Sequence, residues 1–97
     1  MKSIDLSVNK IGKKGVEKLS SFLSTNIDYL TYLNLANNDL GDLATIRICK
    51  SMKKHSSIHT IILDHNRITD HSCKSIQKLE SNAYTLKVIS LYWNLIQ

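Results

Sequence analysis

Residues 30–40 read LTYLNLANNDL, and this stretch decides the fold. Leu30, Leu33, Leu35, Asn38 and Leu40 stand at the spacing L-x-x-L-x-L-x-x-N-x-L. Side chains alternate along a strand, so Leu33 and Leu35 share one face while Tyr32 and Asn34 share the other. Asn38 falls where the chain leaves the strand and its backbone groups lose ladder partners. An Asn side chain carries both an acceptor and donors, so it can satisfy those groups. A strand this short cannot bury its own apolar face, which means that copies must stack on it.

Working outward from this stretch, the copies are found on both sides. Residues 1–11 read MKSIDLSVNKI, residues 58–68 IHTIILDHNRI and residues 86–96 LKVISLYWNLI, each with Asn in the same place and Met or Ile allowed for Leu. The four asparagines are Asn9, Asn38, Asn66 and Asn94, offset by 29, 28 and 28 residues. They are expected to form a structural ladder. The pairs Ile4/Leu6, Leu33/Leu35, Ile61/Leu63 and Ile89/Leu91 are expected to point inward.

The second half of each unit repeats too. Gly15, Ala44 and Ser72 form a small-residue column, and Leu19, Ile48 and Ile76 an apolar one, followed by Phe22 with Leu23, Met52 and Leu79. Ala44, Ile48 and Met52 are spaced four apart and line one helix face. Helices are predicted near 13–24, 42–53 and 70–80, with Asp42 and Asp70 placed to cap the second and third. Gly12 and Gly15 read as packing positions beside the first helix.

The whole pattern resembles the leucine-rich-repeat family, and its 28/29-residue period with a helical half resembles the ribonuclease-inhibitor-like class. The resemblance implies an α/β fold: a curved leucine-rich-repeat solenoid with four short parallel strands on the concave side and three helices on the convex side. It implies one domain over residues 1–97, divided into repeats 1–29, 30–57, 58–85 and a partial repeat 86–97. That class includes the sensor ends of intracellular immune receptors and effectors that bacteria deliver into host cells. Protein binding, with no cofactor, is the function it implies.

In that geometry the strand positions not used by the core face outward. Two columns stand out: Ser7, Ala36, Asp64, Tyr92 and Val8, Asn37, His65, Trp93. Large aromatics beside Asp, His and Asn match the composition of binding hot spots. The residues expected to contact a protein partner are Tyr32, Asn34, Asn37, Ile62, Asp64, His65, Tyr92 and Trp93.

Other chemistries find less support. The chain has no nucleophile elbow, no phosphate-binding glycine loop and no useful acidic pair, so no enzyme is expected. His55, His59, His65 and His71 lack a zinc-ligand spacing, so no metal is expected. Cys49 and Cys73 read as packed thiols rather than a disulfide. The net charge is +5, which favours acidic partners. Lys18, Arg47, Lys50 and Lys78 share columns on the helical face, but without interleaved aromatics nucleic acid is a minor expectation. Leu43 and Ile46 lie off the predicted core face, either packing between helices or marking a second contact.

No apolar run spans a bilayer and no secretory leader is visible, so an intracellular, cytoplasmic setting is expected. A bacterial member of such a class would act after delivery into a host cell. The pattern opens at its first position and stops just after Asn94. Two alternatives to a partner-binding scaffold therefore stay open: self-assembly through the edge at Leu86–Trp93, and continuation of the repeat in a longer protein.

Overall fold

The structure is a computed structural model and describes residues 2–8, 10–25, 30–52, 58–82 and 86–95. Along the chain come β1 (Lys2–Asp5), α1 (Gly12–Thr25), β2 (Leu30–Asn34), α2 (Gly41–Ser51), β3 (Thr60–Ile62), a 3-10 turn (Asp70–Ser72), α3 (Cys73–Asn82) and β4 (Val88–Ser90). The described strands form one parallel sheet in the order β1-β2-β3-β4, and α1 packs on α2 as α2 packs on α3. Ile4 is registered with Leu33, Leu33 with Ile61, and Ile61 with Ile89. Strand register therefore follows the offsets read from the asparagines, except at Lys2, which pairs with Leu30 across a register shift before Ser3.

The apolar columns fill the space between sheet and helices. Leu33 and Ile61 of the two inner strands, with Leu35 and Leu63 just after them, are buried against Leu19, Leu23, Ile48, Met52, Ile76 and Leu79 of the helical halves. Ile4 and Ile89 of the outer strands, with Leu6 and Leu91 just after them, are partly buried and pack on the same cluster. Full burial of such a side chain contributes about 1.5–3 kcal/mol, so the two inner layers carry most of the stabilisation. Phe22 departs from its predicted column. It is 40% exposed while Leu23 is fully buried, so the column runs through Leu23 alone.

Each repeat turns sharply after its strand. Val8, Asn37, His65 and Trp93, immediately before the asparagine position, all have φ between +57° and +60°. Lys10, Asp39 and Arg67, just after it, have φ between +47° and +59°. The left-handed region tolerates Asn and Asp and is costly for a branched or bulky side chain. Asn37 and Asp39 suit their positions; Val8 and Trp93 do not.

The helix starts correct three sequence expectations. Gly12 has φ +72° with open space where a side chain would go, so it serves a backbone conformation rather than packing. Gly41, its equivalent, also has φ +72°. Gly15 is the packing glycine, because a Cβ there would lie 2.3 Å from Ile11 Cγ2. The third unit has Thr69 in the column of Gly12 and Gly41. Thr69 stays extended (φ −113°), and the chain makes a 3-10 turn before α3 begins at Cys73. A residue with a branched Cβ takes a left-handed start only at a steric cost that Gly avoids. Lastly, the aspartates do not stand at the N-cap positions of α2 and the 3-10 turn. Leu40 occupies the N-cap of α2 without a side-chain cap, and Thr69 caps the 3-10 turn by accepting the N–H of His71.

Asp42 has another use. Lying inside the first turn of α2, it accepts the Thr69 N–H at 2.9 Å, the Ser72 hydroxyl at 2.5 Å and the Thr69 hydroxyl. Burial pushes its carboxyl up, but the hydrogen bonds from Ser72 and Thr69, with the charge of His71 nearby, outweigh this and hold it below 3.8. One carboxylate thereby fastens the second helix to the start of the third.

Candidate protein-interaction surface

The outward face is built on a hydrogen-bond frame. Asn66 Oδ1 accepts the N–H of Asn38 at 2.9 Å and of Leu40 at 3.3 Å, while its Nδ2 donates to the carbonyls of Leu35 and Asp64. Asn94 treats the preceding unit in the same way, accepting from Asn66 and Ile68 and donating to Leu63. Asn38 Nδ2 reaches the Leu6 carbonyl. Asn9 lies outside the described residues. Backbone bonds continue the ladder through the turns: Val8 N–H donates to Ala36, Asn37 N–H to Asp64, and His65 N–H to Tyr92.

On this frame the sequence-predicted contact residues divide into two kinds. Asn34 and Asp64 are engaged by the fold. Asn34 Oδ1 accepts the Ala36 N–H at 3.0 Å, closing its own turn. Asp5, in the same column, accepts the N–H and hydroxyl of Ser7, bonds that hold its carboxyl below 3.8. Ile62 stands in that column of the third repeat and has no polar group to offer. Asp64 instead reaches into the fourth repeat, accepting the Tyr92 N–H at 2.9 Å and the Ser90 hydroxyl at 2.7 Å.

The other kind stands free of the core. Tyr92 is 73% and Trp93 78% exposed. The Trp93 indole stacks on the His65 ring with centroids 5.7 Å apart and planes 14° from parallel. Asn37, exposed, occupies the next place in the His65 column, and Val8 stands at its end, 72% exposed. Tyr32 is half-buried on β2, registered with Ser3 on one side and Thr60 on the other. Val88 extends that row on β4 and is exposed. Val8 and Val88 were not among the predicted contacts. Their outward position was expected from the strand pattern, but a lone valine gives no sign of a contact.

Among the described residues no group of three His, Cys, Asp or Glu side chains could hold a metal ion. Both cysteines are free thiols, and burial pushes that of Cys49 up to about 12. No helix among the described residues is long and apolar enough to cross a membrane.

Comparison with known proteins agrees with this architecture. The Leucine Rich repeat family pattern matches residues 1–20 and 28–48. Human NACHT, LRR and PYD domains-containing protein 13 is 28% identical over 97% of this chain, which spans 9% of that protein. Bovine NACHT, LRR and PYD domains-containing protein 3 is 32% identical over 75% of the chain and 7% of its own length. Protein CARMIL of Dictyostelium discoideum is 32% identical over 65% of the chain and 6% of its own length. The chain thus spans less than a tenth of each of these relatives. With four parallel strands in repeat order, alternating helices and a pattern match within the first two units, the chain has a leucine-rich-repeat fold.

Proposed function

We propose that the chain is a protein-interaction scaffold of the ribonuclease-inhibitor-like class and binds its partner on the sheet face and the ridge of turns beside it. The contact residues in this reading are Tyr32, Asn37, Ile62, His65, Tyr92 and Trp93, with Asn34 and Asp64 shaping the surface more than touching the partner. The 28/29-residue period with a helix in each full unit supports the class. Two of the relatives are named as LRR-containing proteins, and such repeats generally mediate protein–protein interaction. Two free thiols, one deeply buried, suit an intracellular, reducing setting.

The observation that carries the reading is the exposed Trp93 in a left-handed backbone conformation, stacked on His65. Asn or Gly would serve the turn better. Backbone preference does not call for Trp there, and in this reading its side chain serves a partner contact together with His65. Affinity capture from an extract with wild-type and Trp93→Ala protein tests this. A protein retained by the wild type and lost with Trp93→Ala supports the reading; identical captures contradict it.

Self-association is the second reading, favoured by Val88, Tyr92, Trp93 and Leu95 all being exposed on and after β4. Pairing through that edge would cover the same aromatics. Sedimentation at micromolar concentration separates the two, because a strictly monomeric chain excludes the edge pairing.

A further inference from the structure

A groove of about 550 Å³ runs between α1, α2 and the turn that leads into α2. This lies within the ~300–1,000 Å³ range of pockets that hold ligands. Val16, Leu40 and Ala44 give it an apolar lining, and Leu43 stands on its wall with 87% of its surface exposed. Two cations flank the apolar part, Lys13 on α1 and Arg47 on α2. Asp39 also lines the groove, 3.3 Å from Arg67 in a largely exposed pair. Glu17 lies 3.8 Å from Arg47, and both exposed pairs are weakly held, which leaves three cations (Lys13, Arg47 and Arg67) against two carboxylates around the groove.

The neighbouring seam shows why this one is open. Between α2 and α3, Asp42 bridges to Thr69 and Ser72. One repeat earlier the same three columns hold Lys13, Gly41 and Ala44. Lysine carries no acceptor, and glycine and alanine present no hydroxyl, so no equivalent bridge can form.

We propose that this groove seats an apolar side chain, of leucine or phenylalanine size, from an acidic peptide segment of another protein whose carboxylates pair with Lys13 and Arg47. The apolar lining supplies the driving force, because Leu43 and the incoming side chain would leave water together. The flanking cations select for acidic neighbours and select against basic ones. This contact is separate from the sheet-face ridge, since it uses neither Tyr92 nor Trp93.

The test is fluorescence anisotropy with a fluorescein-labelled peptide of leucines interleaved with glutamates. Two control peptides replace the glutamates by glutamine or the leucines by alanine. The leucine–glutamate peptide should saturate below about 1 mM. Leu43→Ala and the double variant Lys13→Gln/Arg47→Gln should each weaken it by about fivefold or more, the level at which a surface contact becomes measurable. Leu43 is too exposed for its truncation to unfold the chain, and thermal melts would verify that both variants are folded. Both control peptides should bind more weakly. The proposal is overturned by absent saturation, by an alanine–glutamate peptide that binds equally well, or by a loss that follows Trp93→Ala and not Leu43→Ala. None of these outcomes counts against the ridge reading, which depends on a different partner surface.

Discussion

Asn66 Oδ1 accepts the backbone N–H of Asn38 at 2.9 Å across 28 residues of sequence, and both side chains are buried. Through this bond each turn is held by the next one. Truncating Asn66 removes the acceptor for Asn38 and Leu40 and the donor for Leu35 and Asp64 together. Asn66→Ala should cost about 1–3 kcal/mol, the penalty of leaving buried backbone groups unpaired. Urea melts giving less than about half a kcal/mol would show that water replaces the side chain at no cost.

Leu35 and Leu63 sit one repeat apart in the same column, and both are buried. Either one replaced by Ala should destabilise by about 2–5 kcal/mol, because the cavity opens in a layer shared by two repeats. Leu91, partly buried just after β4, should cost less. Equal losses at Leu63 and Leu91, measured in the same denaturant series, would contradict the layered account of the core.

Gly41 has φ +72° and nothing within 4 Å of the place a Cβ would occupy. Gly41→Ala should therefore act through backbone strain alone, at about 1–2 kcal/mol. Gly41→Asn should cost clearly less, since Asn tolerates the left-handed region. If both variants melt with the wild type, the helix start relaxes to another conformation.

The Asp42 carboxyl lies below its ordinary value in the folded chain, held there by bonds from Ser72 and Thr69. A lowered folded pKa contributes stability that is fully present above the unfolded value of 3.8 and is lost as pH falls through the folded value. Wild-type protein should thus lose more stability than Asp42→Asn between about pH 6 and about pH 3. Urea melts at the two pH values provide the comparison. Parallel losses would assign the acid sensitivity to other carboxylates.

The spacing of Leu35, Asn38, Leu63 and Asn66 was readable because each of these side chains meets an internal demand repeated every 28 or 29 residues. Positions answering to a single local circumstance were not readable. Asp42 looked like a helix cap, and only the presence of Thr69 and Ser72 in the next repeat turns it into a bridge. Thr69 in a glycine column changed the start of α3, which required the φ of Gly12 and Gly41 to be known. On the outward face, periodicity found the columns of His65 and Trp93. It could not tell that Asp64 is committed to Ser90 and Tyr92 while Trp93 is stacked and exposed.

The central claim is that the ridge at His65, Tyr92 and Trp93 carries partner affinity. Surface plasmon resonance of the captured partner against wild type, Trp93→Ala, Tyr92→Ala and a charge-reversed Lys18→Glu/Lys50→Glu/Lys78→Glu variant tests it most directly. Each aromatic truncation should weaken binding by about 2 kcal/mol or more, roughly 30-fold, with the charge-reversed variant close to wild type. Loss of binding on charge reversal, with Trp93→Ala at full affinity, would contradict the account and give the contact to the helical face.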